Sequence, residues 1–317
     1  ASWEEALERV AQGLMQAQNR YGLDAAGIFG GGGLTNEKCY WLGKFARVAL
    51  NTSSIDYNGR FCMSSAAGAG IKAFGIDRGM PFPLEDIASA EAILLVGSNA
   101  AETMPPVMQY FDEQKRGGGK LIVVDPRVTK TAEEAHLHLQ LTPGSDIALA
   151  LGMLHIATRE RLLDYSFIAA RTNGYRDVQR VVAGYWPERV EQLTGVSIEK
   201  MTEAVRILAQ AKTALVLTAR GPEQQSKGVE TVLSFINLAL ALGKAGKKGS
   251  GYGCLTGQGN GQGGREHGQK ADQLPGYRKI DDPAARAHMA KVWGVEEKSI
   301  PGPGRSAYEM LSTLGES

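Results

Sequence analysis

Apolar and polar positions fall into blocks along the chain, and the blocks predict alternating helices and strands. Trp3, Ala6, Leu7, Val10 and Leu14 recur at helical period behind Ser2 and Glu5, which have capping-box spacing, so a helix opens the chain. "DAAGIF" (24–29) reads as a short buried strand. The glycine run 30–33 follows, then a helix with Thr35 or Asn36 as N-cap. A strand, a glycine turn and a helix N-terminus form an arrangement that binds anions, or simply a tight turn. Four apolar runs of strand length come next: "EAILLVGSN" (91–99), "KLIVVDPR" (120–127), "AHLHLQLTPGSD" (135–146) and "TALVLTARGPEQ" (213–224). Helical patterns such as "PPVMQYFDEQKRGGG", "DIALALGMLHIATRE" and "SIEKMTEAVRILAQAK" lie between them.

Unbroken apolar strands separated by helices predict an α/β fold with doubly wound, mostly parallel sheets. Ligands in such sheets sit beyond the strand C-termini, here Gly97–Asn99, Asp125–Arg127, Thr142–Asp146 and Arg220–Gln224. Asp125 is placed to accept two ribose hydroxyls, or to cap the turn before Pro126. Asp146 either reads a base or serves as the N-cap of the next helix. Residues 251–278 show neither period and set Gln, Asn, Arg, Glu and His among glycines, which suits an ordered loop against a polar ligand. Asp282 with Pro283, and Ser306 with Glu309, mark two further helix starts.

At 317 residues the chain exceeds what one core usually supports, so two domains are expected. A net charge of +1 gives no reason to expect nucleic-acid or membrane-surface binding, and no apolar run reaches the length of a membrane span. The three cysteines, Cys39, Cys62 and Cys254, have no C-x-x-C spacing, so they make no self-contained zinc or iron–sulfur site. Their odd number argues against a disulfide framework and for a reducing compartment. Cys62 stands in the small-residue stretch "NGRFCMSSAAGAG" (58–70), either as a buried apolar thiol or as a metal ligand.

Five motifs in order resolve that choice: "NGRFCMSSAAGAG", "ILLVGSNAAETMPP", "VVDPRVTKTA", "LTPGSDIALALGM" and "GCLTGQGNGQGGREHGQKADQLPGY". Together they resemble the molybdenum bis(molybdopterin guanine dinucleotide) oxidoreductases over essentially the whole chain, and within that family the assimilatory nitrate reductases. The resemblance implies a fold in which one α/β domain is inserted into another, with residues 1–57 and 258–317 forming the first and 58–257 the second. It implies that Cys62 is the protein ligand to molybdenum, since a thiolate suits a soft, redox-active metal. Gly97, Ser98, Asn99 and Glu102 would border the pterin and phosphates of one guanine dinucleotide, with Asp125 and Arg127 on its ribose and phosphate. Gly144 and Asp146 would meet the guanine, whose N–H edge a carboxylate can accept. Gly221, Gln224, Gln258, Asn260 and Gln262 would line the metal and pterin side. The family often has His-Pro after the acid where this chain has Met104-Pro105, so a contact at residue 104 is not carried over.

Within the family, formate dehydrogenases follow the metal ligand with histidine; here Met63 stands there, as in nitrate reductases. Formate dehydrogenases also carry an arginine where this chain has Thr256, whereas Arg265-Glu266 matches the nitrate reductases. Arg265 would hold the anion or serve as a structural ion pair or phosphate clamp. The resemblance thus implies reduction of nitrate to nitrite by oxygen-atom transfer, in the cytoplasm. The electron donor would be a ferredoxin, a flavodoxin or an NADH-linked protein. Formate oxidation on the same cofactor and a metal-free scaffold role are the alternatives. A [4Fe–4S] cluster is expected in an N-terminal domain not represented in the 317 residues, which read as the central portion of a larger enzyme, inactive and metal-free when isolated.

Overall fold

The computed structural model describes residues 1–77 and 79–314. In chain order its strands are β1 (Ile28–Gly30), β2 (Ile55–Tyr57), β3 (Ala92–Val96), β4 (Lys120–Val124), β5 (Leu137–Leu139), β6 (Ala214–Thr218), β7 (Gly251–Cys254), β8 (Gln273–Leu274) and β9 (Arg278–Lys279). The chain divides into two compact units, Ala1–Cys62 with Gln258–Ser317, and Met63–Gly257.

The second unit is built on a five-stranded sheet of order β5-β4-β3-β6-β7 in which every pairing is parallel. The chain winds outward from β3 through β4 to β5, then crosses back to β6 and β7, so strand order reverses between β3 and β6. Every residue of β3 and β6 is buried, as expected of strands covered on both faces. Because successive side chains point to opposite faces, Leu94, Val96, Ile122 and Val216 pack with Leu149, Met153, Val205 and Phe235, carried on helices Asp146–Arg159, Ile198–Gln210 and Gly228–Ala241. Ile93, Leu95, Val123 and Leu217 turn the other way, onto Ile87, Val107 and Phe111. Each such side chain is worth about 1.5–3 kcal/mol of hydrophobic burial.

Strand β7 lies inside the stretch that shows no sequence period. Its residues, Gly-Tyr-Gly-Cys, hide a strand because glycine has poor strand propensity. Those glycines have a packing reason: a Cβ on Gly253 would lie 2.9 Å from the Phe82 ring and 3.0 Å from Met80 Cγ.

In the first unit, parallel pairing among the described residues is confined to β1 and β2, in register Ile28 with Ile55; β8 and β9 form a short antiparallel pair. Doubly wound topology is therefore a property of the second unit. The strand expected over 24–29 begins only at Ile28, because Leu23–Ala25 forms a 3-10 turn. Asp24 holds that turn by accepting from the Thr52 hydroxyl, the Ser53 N–H and the Ser53 hydroxyl, at 2.8–2.9 Å. Helix Trp3–Tyr21 has the expected Ser2–Glu5 capping box, but its apolar stripe is open, with Trp3 84% and Leu7 62% exposed. Thr35 is the N-cap of helix Asn36–Lys44, and Asp282 and Ser306 cap as expected. Arg47 is fully buried and donates to the carbonyls of Gly268 (2.6 Å), Lys270 (2.8 Å) and Gln273 (3.1 Å). Burial pushes its guanidinium down to about 10, which leaves it charged at neutral pH. Among the described residues, no helix is long and apolar enough to cross a membrane.

Candidate functional site

The switch point of the second unit carries a pocket of about 480 Å³, lined by Gly97, Asn99, Asp125, Arg127, Gly144, Asp146, Gly221 and Gln225 together with Thr103, Pro126 and Pro143. It opens where doubly wound sheets bind ligands, beyond the carboxyl ends of the strands. Backbone geometry explains its glycines. Gly97 has φ +63°, and a Cβ there would lie 2.5 Å from Pro222 Cδ and 2.6 Å from Gly221 Cα. Gly144 has φ +84° and faces open space. The walls of the pocket therefore present bare backbone at three of its turns.

Two carboxylates face this pocket. Asp125, at the end of β4, is buried and accepts from the Arg127 N–H at 2.9 Å, closing a turn. Asp146 is buried at the first turn of its helix, and its Oδ2 accepts from Gln225 Nε2 at 2.7 Å. Ser145, not Asp146, occupies the N-cap position. Burial raises the Asp146 carboxyl, against the Gln225 hydrogen bond, and the charge of Asp125 adds to the rise. An acceptor pair held rigid in a half-closed pocket suits a base or sugar edge that offers adjacent N–H or O–H donors. Around Asn99, its Nδ2 donates to Glu102 at 2.5 Å and its Oδ1 accepts from Thr131 at 3.1 Å. Glu102 itself is exposed and pairs with Lys130 at 3.4 Å. Ser98 is buried.

Sequence reasoning chose Gln224, which is exposed, and missed its neighbour Gln225. No local pattern marked it: Gln225 lies beyond the helical turn Arg220–Glu223, and its Nε2 reaches back to the Gly221 carbonyl at 3.0 Å. Met63 is buried, with its sulfur against the Arg220 guanidinium. No sequence period marks Arg220, Glu223 and Cys254, which gather on the other side of the same turn.

In the first unit, β2 leads into a single helical turn, Gly59–Cys62, and Cys62 is half-buried and in no disulfide. That turn is tied down by Arg60, which donates to Asp56 at 2.5 Å and to Asp272 at 2.9 Å. Burial raises Asp56, with Arg60 pulling the other way. Tyr57 requires glycine at two neighbours: a Cβ on Gly59 would meet its ring at 2.2 Å, and one on Gly264 at 2.6 Å.

The amide-rich loop is knitted to the glycine run. Asn58 Nδ2 donates to Gln258 at 2.6 Å while its Oδ1 accepts from the Gly32 N–H at 2.9 Å. Asn260 donates to the Leu34 carbonyl at 2.7 Å and caps helix Gly261–Glu266 by accepting from the Gly263 N–H. Gln262 donates to Glu266 at 3.0 Å and to the Tyr277 hydroxyl at 2.6 Å, and accepts from Arg265 Nη2 at 2.6 Å. Arg265 is buried, 3% exposed. Cys62, Gln258, Asn260, Gln262 and Arg265 thus belong to the first unit, and Met63, the Asp125–Asp146 pocket and Gly221 to the second.

A doubly wound sheet with a glycine- and carboxylate-lined pocket at its switch point has counterparts among known proteins. Residues 1–301 match the Molybdopterin oxidoreductase family, and the chain belongs to it. It is 46% identical, over 99% of its length, to the assimilatory nitrate reductase catalytic subunit of Bacillus subtilis (strain 168), covering 44% of that protein. It is 38% identical to the nitrate reductase of Synechocystis sp. over 99% of the chain and 44% of the relative. Formate dehydrogenase H of Escherichia coli (strain K12) is 39% identical over 95% of the chain and 42% of the relative. Among solved structures, acetylene hydratase from Pelobacter acetylenicus superposes with a TM-score of 0.64 at 25% identity, covering 79% of this chain and 34% of that one. The chain spans less than half the length of these relatives.

Proposed function

We propose that this chain forms part of a molybdenum-dependent nitrate reductase that holds a bis(molybdopterin guanine dinucleotide) cofactor. The carrying observation is the switch-point pocket, in which bare glycine turns and the buried Asp146 carboxylate meet the demands of a guanine nucleotide. Its size of about 480 Å³ falls within the range of small-molecule sites. The donor set fits the group: Asp146 accepts from the guanine N–H edge, Asp125 from the ribose, and Arg127 neutralises phosphate. Cys62, on its short turn, supplies the thiolate ligand. When bound, the cofactor supplies two-electron oxygen-atom transfer; the chain orients it and the substrate. Arg265 holds the nitrate anion, its fork oriented by Gln262. Met63, where a formate-oxidising relative would carry a proton-handling histidine, leaves no titrating group at that position.

Nitrate as substrate rests on Met63, Thr256 and Arg265-Glu266, and on the nitrate reductases among the relatives. Electrons come from a ferredoxin, a flavodoxin or an NADH-linked donor. Assay of the complete enzyme with reduced viologen and nitrate, with formate oxidation and dimethyl sulfoxide reduction as controls, tests the reading. Nitrate turnover that disappears in Cys62→Ala supports it. Formate oxidation without nitrate turnover, or full activity in Cys62→Ala, overturns it.

A further inference from the structure

The turn that follows β6 has two sides. Gly221 and Gln225 face the nucleotide pocket, while Arg220 and Glu223 face Met63 and Cys254. Glu223 is 2% exposed. Its Oε1 accepts from the Thr218 hydroxyl at 3.1 Å and from Cys254 Sγ at 3.2 Å, and its carboxylate pairs with Arg220. Thr218 in turn lies 2.7 Å from the Tyr252 hydroxyl. Arg220 also donates to Cys254 Sγ and to the Leu255 carbonyl, each at 3.0 Å. Tyr252, Cys254 and Met63 line a largely apolar cavity of about 280 Å³ in the same unit, together with Ala66, Phe74 and Ile76 and one carboxyl residue, Asp77. A continuous hydrogen-bonded chain therefore leads from the cavity wall through Tyr252 and Thr218 to Glu223, and on to the guanidinium that touches the side chain after Cys62.

The ionisable groups facing Glu223 are Arg220 on its own turn and Cys254 and Tyr252 on β7. Burial raises the Cys254 thiol and the Tyr252 phenol, so both keep their protons. Burial also pushes the Glu223 carboxyl up to about 7, with Arg220 pulling the other way. Glu223 therefore changes charge near neutrality. Buried acids of this kind, with a named charge partner beside a cavity, are where proton chemistry concentrates.

We infer that Glu223 is the proton-holding residue of the reaction, recharged through Thr218 and Tyr252. The inference rests on the nitrate-reductase reading. Nitrate, two electrons from the donor protein and two protons give nitrite and water: one N–O bond breaks, nitrogen is reduced, the donor is oxidised, and the released oxygen leaves with both protons. Glu223 gives up a proton from its carboxyl, remains as a carboxylate paired with Arg220, and is reprotonated from solvent along the two hydroxyls, so that it delivers the two protons in turn.

The test uses the holoenzyme and the variants Glu223→Gln, Glu223→Asp and Tyr252→Phe. Glutamine keeps the shape and the acceptor for the Thr218 hydroxyl, but it loses the ion pair with Arg220 and cannot hold the titrating proton. We expect Glu223→Gln to lower kcat for nitrate by about tenfold or more and to abolish its dependence on pH near 7, with KM and molybdenum content unchanged. Glu223→Asp should restore part of the rate, and Tyr252→Phe should slow it less than Glu223→Gln does. Independently of turnover, the infrared carboxyl band absent from Glu223→Gln should titrate near pH 7 in the unaltered protein. A wild-type rate and pH profile in Glu223→Gln, loss of molybdenum along with activity, or a band that does not titrate there overturns the inference. Absence of nitrate turnover in the unaltered enzyme instead overturns the nitrate-reductase reading, and the infrared titration still decides whether Glu223 holds the proton.

Discussion

Gly221 donates its backbone N–H to the carbonyl of Gly97 at 3.1 Å, and a Cβ built on Gly221 would lie 2.6 Å from Gly97 Cα. The loops after β3 and β6 therefore touch backbone to backbone at the switch point, and neither position has room for a side chain. Gly97 has the stricter requirement, because its φ of +63° is also costly for any other residue. We predict that Gly97→Ala destabilises the protein by about 1–3 kcal/mol, from backbone strain and overpacking together. A denaturant midpoint equal to that of the unaltered protein would show that the two loops part readily.

The Asp146–Gln225 pair makes a sharper statement about ligand. Asp146→Asn replaces one acceptor with a donor and should weaken binding of a guanosine nucleotide by about 1.5–3 kcal/mol, the usual worth of hydrogen bonds to a charged group. Gln225→Ala should cost less, about 0.5–1.5 kcal/mol, since it removes the brace but leaves the carboxylate. Titration calorimetry with guanosine and adenosine diphosphates measures both. Equal loss for the two bases would mean that Asp146 does not read guanine.

How far the sequence foretold this site depends on the kind of force at each position. Strands β3, β4 and β6 were legible because they are buried on both faces and so read as continuous apolar runs. The strand ends followed from topology, which is why Asp125 and Asp146 come to one pocket from runs far apart in sequence. Strand β7 was hidden because its glycines answer to Phe82 and Met80, contacts that no local pattern encodes. The 3-10 turn at 23–25 was hidden in the same way, since Asp24 finds its partners at residues 52 and 53. Arg220, Glu223 and Cys254 form a cluster that exists only once β6 and β7 are paired.

Two carboxyl groups give opposite dependences of stability on pH. Asp272 is held down to about 2: burial would raise it, but the hydrogen bond from Lys279 and the charges of Lys270 and Arg60 prevail. The unfolded chain then binds more protons than the folded one on the acid side, so stability falls as pH drops from about 4 through 2. Its side chain is 37% exposed, and screening keeps that slope shallow. Glu223, raised to about 7, does the reverse. Its contribution is full below the ordinary value of 4.5 and is lost as pH rises through about 7. Denaturation midpoints across pH should lose the acid slope in Asp272→Asn and the near-neutral slope in Glu223→Gln.

Arg265 separates a substrate-binding arginine from a structural one. It is 3% exposed, and its Nη2 donates to Gln262, whose amide is fixed in turn by Glu266 and Tyr277. A planar guanidinium binds an oxyanion through two parallel N–H groups, whereas a lysine ammonium offers only a point charge. Arg265→Lys keeps the charge and most of the buried stem, so a residue needed only for packing or charge balance would tolerate it. If Arg265 holds nitrate, KM should rise by about tenfold, one lost charge-assisted hydrogen bond, with a smaller change in kcat and no change in molybdenum content. Gln262→Ala should shift KM the same way but less, because it frees the fork without removing it. An unchanged KM in Arg265→Lys together with a lower denaturation midpoint would assign the residue to the scaffold, and the anion would have to be held elsewhere.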